Sequence, residues 1–207
     1  MAWQAIFQGD FEPSEVEAYS ELVQNLHRFQ DRLASMRMDQ PTIEKLSAEI
    51  AAWSDALAPL ETEERHQVNG RLLQLPVRGH AMLPELRVSK REPGRVEGTV
   101  RFGRWFMGGG MAAHGGAVAL LFDEVLGIQS GLAAEGMTRT AYLTTNYRAV
   151  TPIDVDLDVT AWVERIEGRK IFVRGELRQQ GGLCAESEGL FLTLQPGSTG
   201  RRAVPVD

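Results

Sequence analysis

The stretch GGGMAAHGGAVALLFD, residues 108–123, decides how the rest of the chain must be arranged. Its glycine-rich first half leads into residues 115–134, which are apolar along most of their length. A helix of about five turns that is apolar on nearly every side is predicted to lie buried inside the protein. Such a helix needs a sheet to cover it, so the strands on either side of it determine the fold.

Strand patterns flank this helix on both sides. Residues 95–102 alternate polar and apolar side chains, which predicts a half-buried strand. After Gly136 the same kind of pattern predicts four long strands, at 138–149, 156–166, 170–180 and 183–194. Gly168 and Gly181 stand where hairpin turns are expected, and strands joined by short turns pair antiparallel. The sequence therefore predicts an α+β fold in which an antiparallel sheet wraps around one long buried helix.

The N-terminal third of the chain predicts a pair of helices between residues 14 and 62. Leucines recur there at helical spacing, Ser14 and Thr42 are the expected N-caps, and Pro59 ends the second helix. We therefore divide the chain into a helical extension, a sheet-and-helix domain and a flexible tail, at residues 1–65, 66–195 and 196–207.

Composition excludes several functional classes. The chain has 207 residues, a formal net charge of -6 and no run of Lys and Arg, so we expect no nucleic-acid partner. Cys184 is the only cysteine, which excludes a disulfide framework and indicates a reducing, cytoplasmic setting. The N-terminus lacks the pattern of a signal peptide. The longest apolar run, 117–122, is too short to span a bilayer.

Asp123 distinguishes this stretch from an ordinary glycine-rich loop entering a core helix. Burying a carboxylate costs several kcal/mol unless the group is paired or hydrogen-bonded. One interpretation is structural, with Asp123 paired to Arg148 and Glu124 facing solvent. The other is a carboxylate held in a cleft as a base or nucleophile.

The start of the predicted helix supplies a complementary group. The backbone N–H groups of Gly115, Gly116 and Ala117 lack partners within the helix, and the positive end of the helix dipole lies behind them. They form a candidate oxyanion hole for a reacting carbonyl. No Gly-Lys-Ser/Thr sequence follows, which excludes a P-loop, and the match to a Rossmann fingerprint is poor.

The spacing of these groups predicts a dimer. Gly116 and Asp123 are seven residues apart, which is about 10 Å along a helix axis. A reacting carbonyl needs both groups within about 3 Å, so one helix cannot supply both to the same site. Two antiparallel helices across a symmetric dimer can, and this predicts two equivalent shared sites.

Taken together, His114-Gly115-Gly116 and Asp123 resemble the motif of hotdog-fold acyl-CoA thioesterases of the phenylacetate-pathway (PaaI-like) branch. Residues 140–148, TAYLTTNYR, resemble the strand that follows the helix in that family, and residues 167–170 resemble its next hairpin. The resemblance covers about residues 79–194. It implies a hotdog fold and hydrolysis of an acyl-CoA to a free acid and CoA in lipid metabolism. It implies no metal and no cofactor beyond the CoA thioester itself.

The same resemblance implies a role for each matching residue. Asp123 would act as nucleophile or as general base, and Gly116 would donate the oxyanion N–H from the other subunit. His114 would orient the thioester, and Thr140 would position the attacking water. Glu124 adjoins Asp123 and could share its titration, because like charges raise one pKa.

Further residues are assigned to substrate and CoA binding, namely Gly115, Asn146, Arg148, Arg169 and Lys170. For the three basic residues, ordinary solvated strand ends are the alternative. Related enzymes often carry an Asn shortly before His-Gly-Gly, whereas residues 108–113 contain none, so that contact is missing or replaced.

Two other functions remain open at this point. A hotdog dehydratase acting on hydroxyacyl thioesters needs a catalytic His with a differently placed carboxylate, and the nine-residue spacing from His114 to Asp123 disfavours it. A non-catalytic acyl-CoA-binding or sensor protein is the other, and the helical extension keeps it open as a regulatory element. A homodimer or a tetramer fits either case.

Overall fold

The structure, a computed structural model, describes residues 11–72, 74–134 and 137–194. Two predictions lie outside these residues: the absence of a signal peptide at the N-terminus and the flexible tail at 196–207. Within the described residues, the buried helix and the strands that flank it are all present.

Six strands form one antiparallel sheet, which confirms the predicted α+β fold. Their order across the sheet is β1-β2-β6-β7-β8-β5. Their bounds are β1 Glu85–Glu92, β2 Arg95–Arg101, β5 Thr138–Tyr147, β6 Asp156–Glu167, β7 Lys170–Gln179 and β8 Gly182–Thr193. Tight turns at Gly168 and Gly181 join β6 to β7 and β7 to β8, as predicted. The strand β5, which follows the helix, lies at one edge of the sheet with one side unpaired within the described chain.

The third helix, α3 (Gly115–Ala133), packs across the sheet and has more buried residues than the other two helices. Its buried side chains, among them Leu121, Phe122 and Val125, form a stripe that faces β5, β6, β7 and β8. The helix lies close to Gly175 of β7, where a Cβ atom would stand 3.1 Å from Leu126 Cδ2. By length and composition α3 could cross a membrane, but its packing on four strands is that of a core helix.

Two helices precede the sheet, α1 (Pro13–Ser35) and α2 (Gln40–Leu57). The predicted caps Ser14 and Thr42 are wrong. Glu12 forms a capping box with Glu15 at the start of α1, and Asp39 accepts the Thr42 N–H at 3.1 Å at the start of α2. In both helices a proline occupies the first turn, where its missing N–H costs nothing, so the cap falls one or two residues before it.

The two helices differ in how they meet the rest of the protein. Helix α1 packs chiefly on the 3₁₀ turn Arg104–Phe106, which follows β2. Helix α2 has no buried residue, and its apolar side chains are exposed, including Ile43, Ile50, Trp53 and Leu57. The domain boundary at residues 65 and 66 stays a prediction.

Strand parity places two aromatic side chains of the sheet, Trp162 and Phe172, on the face away from the core helix. Leu157, Val159 and Ala161 are the buried residues of β6, so Trp162 falls on the opposite face. Phe172 likewise lies between the buried Ile171 and Val173, and the Arg165 guanidinium stacks 3.5 Å from its ring centroid. The outer face of the sheet therefore carries aromatic side chains among charges.

Candidate active site

A short β-hairpin, rather than a loop, brings the chain to the start of α3. Its strands are β3 (Met107–Gly109) and β4 (Ala112–Ala113). The Ala113 N–H donates to the Thr151 carbonyl at 2.8 Å, and the His114 N–H donates to the Phe106 carbonyl at 2.7 Å. These bonds fix the backbone on both sides of the hairpin, so His114 has a defined position at the end of the sheet.

His114 is the N-cap of α3, a role not foreseen for it. Its Nδ1 accepts the Gly116 N–H at 3.0 Å, and its carbonyl accepts the Ala117 N–H at 2.9 Å. The prediction that these two N–H groups are free is therefore wrong for this isolated chain. The Gly115 N–H makes no hydrogen bond to any residue that the structure describes. For Gly116 to bind an oxyanion, the His114 ring must first turn away.

Tyr147, at the end of β5, also contacts the start of α3. Its hydroxyl donates to the Gly115 carbonyl at 2.7 Å, and a Cβ atom at Gly115 would stand 3.1 Å from that hydroxyl oxygen. Tyr147 lies within the strand whose sequence resembles the family, but no local pattern distinguishes it as a site residue. Its contact ties the edge strand to the candidate oxyanion hole.

The structure brings together Asp123 and Thr140, two residues to which the resemblance assigns roles in the same site; the assigned role of Thr140 in positioning water stays a prediction. The Thr140 hydroxyl donates to Asp123 Oδ1 at 2.9 Å, which joins the flank of α3 to strand β5. Both side chains are exposed in the single chain, contrary to the expected buried carboxylate. The reason is position, because Asp123 faces the unpaired edge of the sheet instead of the stripe that covers the core. Arg148, its possible structural partner, pairs with Glu186 instead.

Glu124 lies in different surroundings from Asp123, although the two residues are adjacent. The Arg78 guanidinium forms a bidentate ion pair with it, with Nη2 to Oε2 at 3.0 Å. The two side chains are 23% and 11% exposed. Val77 and Arg78 adopt positive φ angles of 45° and 58°, and this uncommon backbone directs Arg78 toward α3. Burial and the Arg78 charge lower the pKa of the nearby His80.

The Arg78–Glu124 pair predicts a stability role for Glu124. Glu124→Gln is expected to lower the free energy of unfolding by about 1–3 kcal/mol, because the half-buried Arg78 loses its counter-charge. Urea unfolding measures this change. The double variant Arg78→Leu/Glu124→Leu serves as the control and should recover part of the loss. A single variant as stable as the wild type would contradict the structural importance of the pair.

The predicted CoA-binding residues do not form one cluster. Arg148 is near the start of α3, with its Nε 2.9 Å from Glu186 Oε1, and Asn146 lies two residues before it on β5. Arg169 and Lys170 lie at the turn between β6 and β7, at the opposite end of β5, because Lys170 pairs with Leu192 and Leu192 with Arg139. The ion pair of Arg148 favours the alternative of a solvated strand end for that residue.

Metal ligands are not grouped anywhere in residues 11–72, 74–134 and 137–194, since no three His, Cys, Asp or Glu side chains lie close enough to hold an ion. The site itself offers three kinds of functional group. These are a carboxylate with a hydroxyl donor, backbone N–H groups at a helix start and an imidazole. The absence of a resident metal or cofactor stays a prediction.

Comparison with known proteins finds a family that is similar to the segment carrying this site. Residues 111–186, which hold the hairpin turn, α3 and most of the following strands, match the model of the thioesterase superfamily. Over 85 residues the chain is 33% identical to the acyl-coenzyme A thioesterase THEM4 of Bos taurus, covering 40% of this chain and 34% of that protein. The chain thus spans about a third of the length of this curated relative. Residues 111–186 are therefore similar to the thioesterase superfamily, in agreement with the resemblance at that level.

Solved structures agree on the fold. The structure of one thioesterase superfamily protein is 25% identical with a TM-score of 0.71, and the alignment covers 84% of this chain and 94% of that one. The region from β1 to β8 is about half of this chain, so that alignment extends into the helices before it. A Streptococcus mutans protein bound to acetyl-CoA is 17% identical with a TM-score of 0.50, covering 53% of this chain and 88% of that one. The predicted hotdog fold is confirmed.

Proposed function

We propose that the protein hydrolyses acyl-CoA thioesters to a free acid and CoA. The observation that carries this proposal is the Asp123 carboxylate, hydrogen-bonded by Thr140 on the flank of the core helix. The curated relative is named an acyl-coenzyme A thioesterase, and the Streptococcus mutans structure holds acetyl-CoA. Both support a CoA thioester as the substrate class.

Two sets of groups would act in the reaction, one that binds the carbonyl oxygen and one that serves as the base. N–H groups at the start of α3 would hold the thioester carbonyl oxygen as negative charge develops on it. Asp123 would take a proton from water, whose hydroxyl adds to the acyl carbon, and the C–S bond would break with the proton passing to the CoA sulfur. Direct attack by the carboxylate, followed by hydrolysis of the resulting anhydride, uses the same groups. Thr140 orients the carboxylate in either route.

The test of this proposal is release of free CoA from a panel of acyl-CoA and aryl-CoA substrates, followed with a thiol-detecting reagent. Wild-type protein should release CoA from at least one substrate. Binding of acyl-CoA by calorimetry without any release would instead identify a non-catalytic acyl-CoA-binding protein. The single Cys184 is buried, so it should contribute little background to the assay. It also fits the reducing, cytoplasmic setting that we propose for this reaction of lipid metabolism.

A homodimer would complete the site. The helix start and Asp123 lie about 10 Å apart along one helix, and Asp123 and Gly116 are both exposed in the single chain. Among the described residues, strand β5 has an unpaired edge beside Asp123, with Tyr142 exposed along it, and such an edge readily pairs with a second strand. A second copy pairing there would bring the two core helices together.

The shared site predicts complementation between two inactive variants. Asp123→Asn removes the base, and Gly116→Pro removes an oxyanion N–H at a position in the first helical turn where proline is tolerated. Each variant alone should be inactive, whereas a mixed population should recover about a quarter of wild-type activity, because half of the dimers then hold one intact site. Light scattering should give at least twice the 22.9 kDa chain mass. A monomer, or no recovery on mixing, would contradict the shared site.

A further inference from the structure

We propose that Asp31 of α1 is a positioning residue for this reaction, acting through the backbone that holds His114. This inference rests on the proposed thioesterase activity, and it gives the N-terminal helix a defined part in catalysis. The first observation is a hydrogen bond between two residues that are far apart in the chain. The Asp31 Oδ1 accepts the backbone N–H of Trp105 at 2.9 Å.

This contact fixes the 3₁₀ turn Arg104–Phe106. Trp105 is the second residue of the turn, whose first backbone N–H groups lack partners inside it. The Phe106 N–H closes the turn on the Gly103 carbonyl at 3.1 Å. The Phe106 ring then packs edge-on against the fully buried Phe102, with ring centroids 6.0 Å apart. Asp31 thus caps a turn that is anchored in the core on its other side.

The same 3₁₀ turn also holds the β3–β4 hairpin, which leads to His114. The Phe106 carbonyl, at the end of the turn, accepts the His114 N–H at 2.7 Å. Gly108 follows two residues later, and a Cβ atom there would stand 3.0 Å from the His114 Cα. Two hydrogen bonds, joined by the 3₁₀ turn, therefore connect the Asp31 carboxylate to the residue that caps α3. A shift of the turn would move the N–H groups that the mechanism assigns to the oxyanion.

The close approach of Gly103 to the Asp31 carboxylate supplies an independent test. A Cβ atom at Gly103 would clash with both carboxylate oxygens of Asp31. Any side chain at this position must push the carboxylate off the Trp105 N–H. Gly103→Ala should therefore reproduce the effect of Asp31→Ala while leaving the carboxylate in the protein.

Helix α1 has further attachments that should keep it in place when Asp31 is changed. His27 Nε2 lies 3.2 Å from the Ala81 carbonyl, and Tyr19 packs against Gly79, where a Cβ atom would stand 3.3 Å from its ring. Burial raises the pKa of the Tyr19 hydroxyl. Loss of the Asp31 contact alone should therefore alter the turn without releasing the helix.

The experiment compares four single variants of the full chain. Asp31→Ala and Gly103→Ala should each lower kcat for acyl-CoA hydrolysis by about tenfold with KM within twofold, since a small misplacement of catalytic groups costs rate. Asp31→Asn should keep most of the rate, because its amide oxygen still accepts the Trp105 N–H. Glu21→Ala, which changes an exposed carboxylate on the same helix, should behave as wild type.

A second readout separates positioning from mere stability. The imidazole resonances of His114, observed by NMR, should shift in Asp31→Ala and Gly103→Ala and stay unchanged in Glu21→Ala. The inference is overturned if Asp31→Ala unfolds more easily but keeps wild-type kcat and an unshifted His114. If wild-type protein hydrolyses no acyl-CoA, the proposed function fails, and the His114 resonances still decide whether Asp31 positions the loop.

Discussion

Asp123→Asn is expected to lower kcat for acyl-CoA hydrolysis by at least about 100-fold, which is the usual cost of losing a positioned base or nucleophile. The amide keeps the size of the side chain and can still accept the Thr140 hydroxyl, which now donates to Asp123 Oδ1 at 2.9 Å. It cannot take a proton from water or attack a thioester. The loss should therefore appear in kcat, with the fold and KM little changed.

Two neighbouring changes make this result specific. Thr140→Val removes the hydroxyl that orients the carboxylate, and it should cost less than Asp123→Asn because the base remains. Glu124→Gln changes the adjacent carboxylate, which is paired with Arg78, and should alter stability more than rate. Full activity in Asp123→Asn, or an equal loss of rate in Glu124→Gln, would show that the base has been assigned to the wrong carboxylate.

Phe122→Ala is expected to lower the free energy of unfolding by about 3–5 kcal/mol, a large part of the stability of a domain of this size. Phe122 is fully buried, and its Cε1 lies 3.3 Å from where a Cβ atom of Gly175 would be. The ring therefore fills the space between the core helix and strand β7. Its removal leaves a cavity between rigid elements, where the structure relaxes only partly.

The control for Phe122 is Ile166→Ala, a deletion of similar chemistry on the sheet against which Phe122 packs. Ile166 is 53% exposed, so its loss should cost less than about 1 kcal/mol. Both variants are compared by urea unfolding at one protein concentration, because a dimer couples stability to concentration. Equal losses of unfolding free energy in the two variants would contradict the position of the hydrophobic core between α3 and the sheet.

The sequence predicted those parts of the fold in which apolar side chains recur with a clear period. Residues 115–134 and the strands after Gly136 were predicted within a few residues because one face or the whole element is apolar. Strand β1, Glu85–Glu92, has only Leu86 fully buried among mostly charged side chains, so its pattern is weak. The hairpin of β3 and β4 has exposed or half-buried residues and depends on pairing with distant backbone.

The site residues that belong to the sequence motif were predicted, whereas the residues that depend on contacts between distant segments of the chain were missed. Asp123 with Thr140 followed from the resemblance, and the structure brings the two side chains together. Arg78 reaches Glu124 across 46 positions, and Asp31 reaches Trp105 across 74. Neither contact has a local sequence pattern, because both depend on where a loop or helix packs. The close approach of Gly103 to Asp31 likewise has no signal in the sequence, because it depends on how α1 packs against the turn.

The hydrogen bond that caps α3 also fixes where the mobile proton of His114 resides. Nδ1 accepts the Gly116 N–H, so in the neutral ring the proton must be on Nε2. This tautomer presents a donor to a bound ligand and leaves no free nitrogen to abstract a proton. A dehydratase of hydroxyacyl thioesters would need that vacant nitrogen. As long as the cap is in place, His114 can donate only from Nε2; once the ring turns away to free the Gly116 N–H for an oxyanion, Nδ1 loses its partner as well.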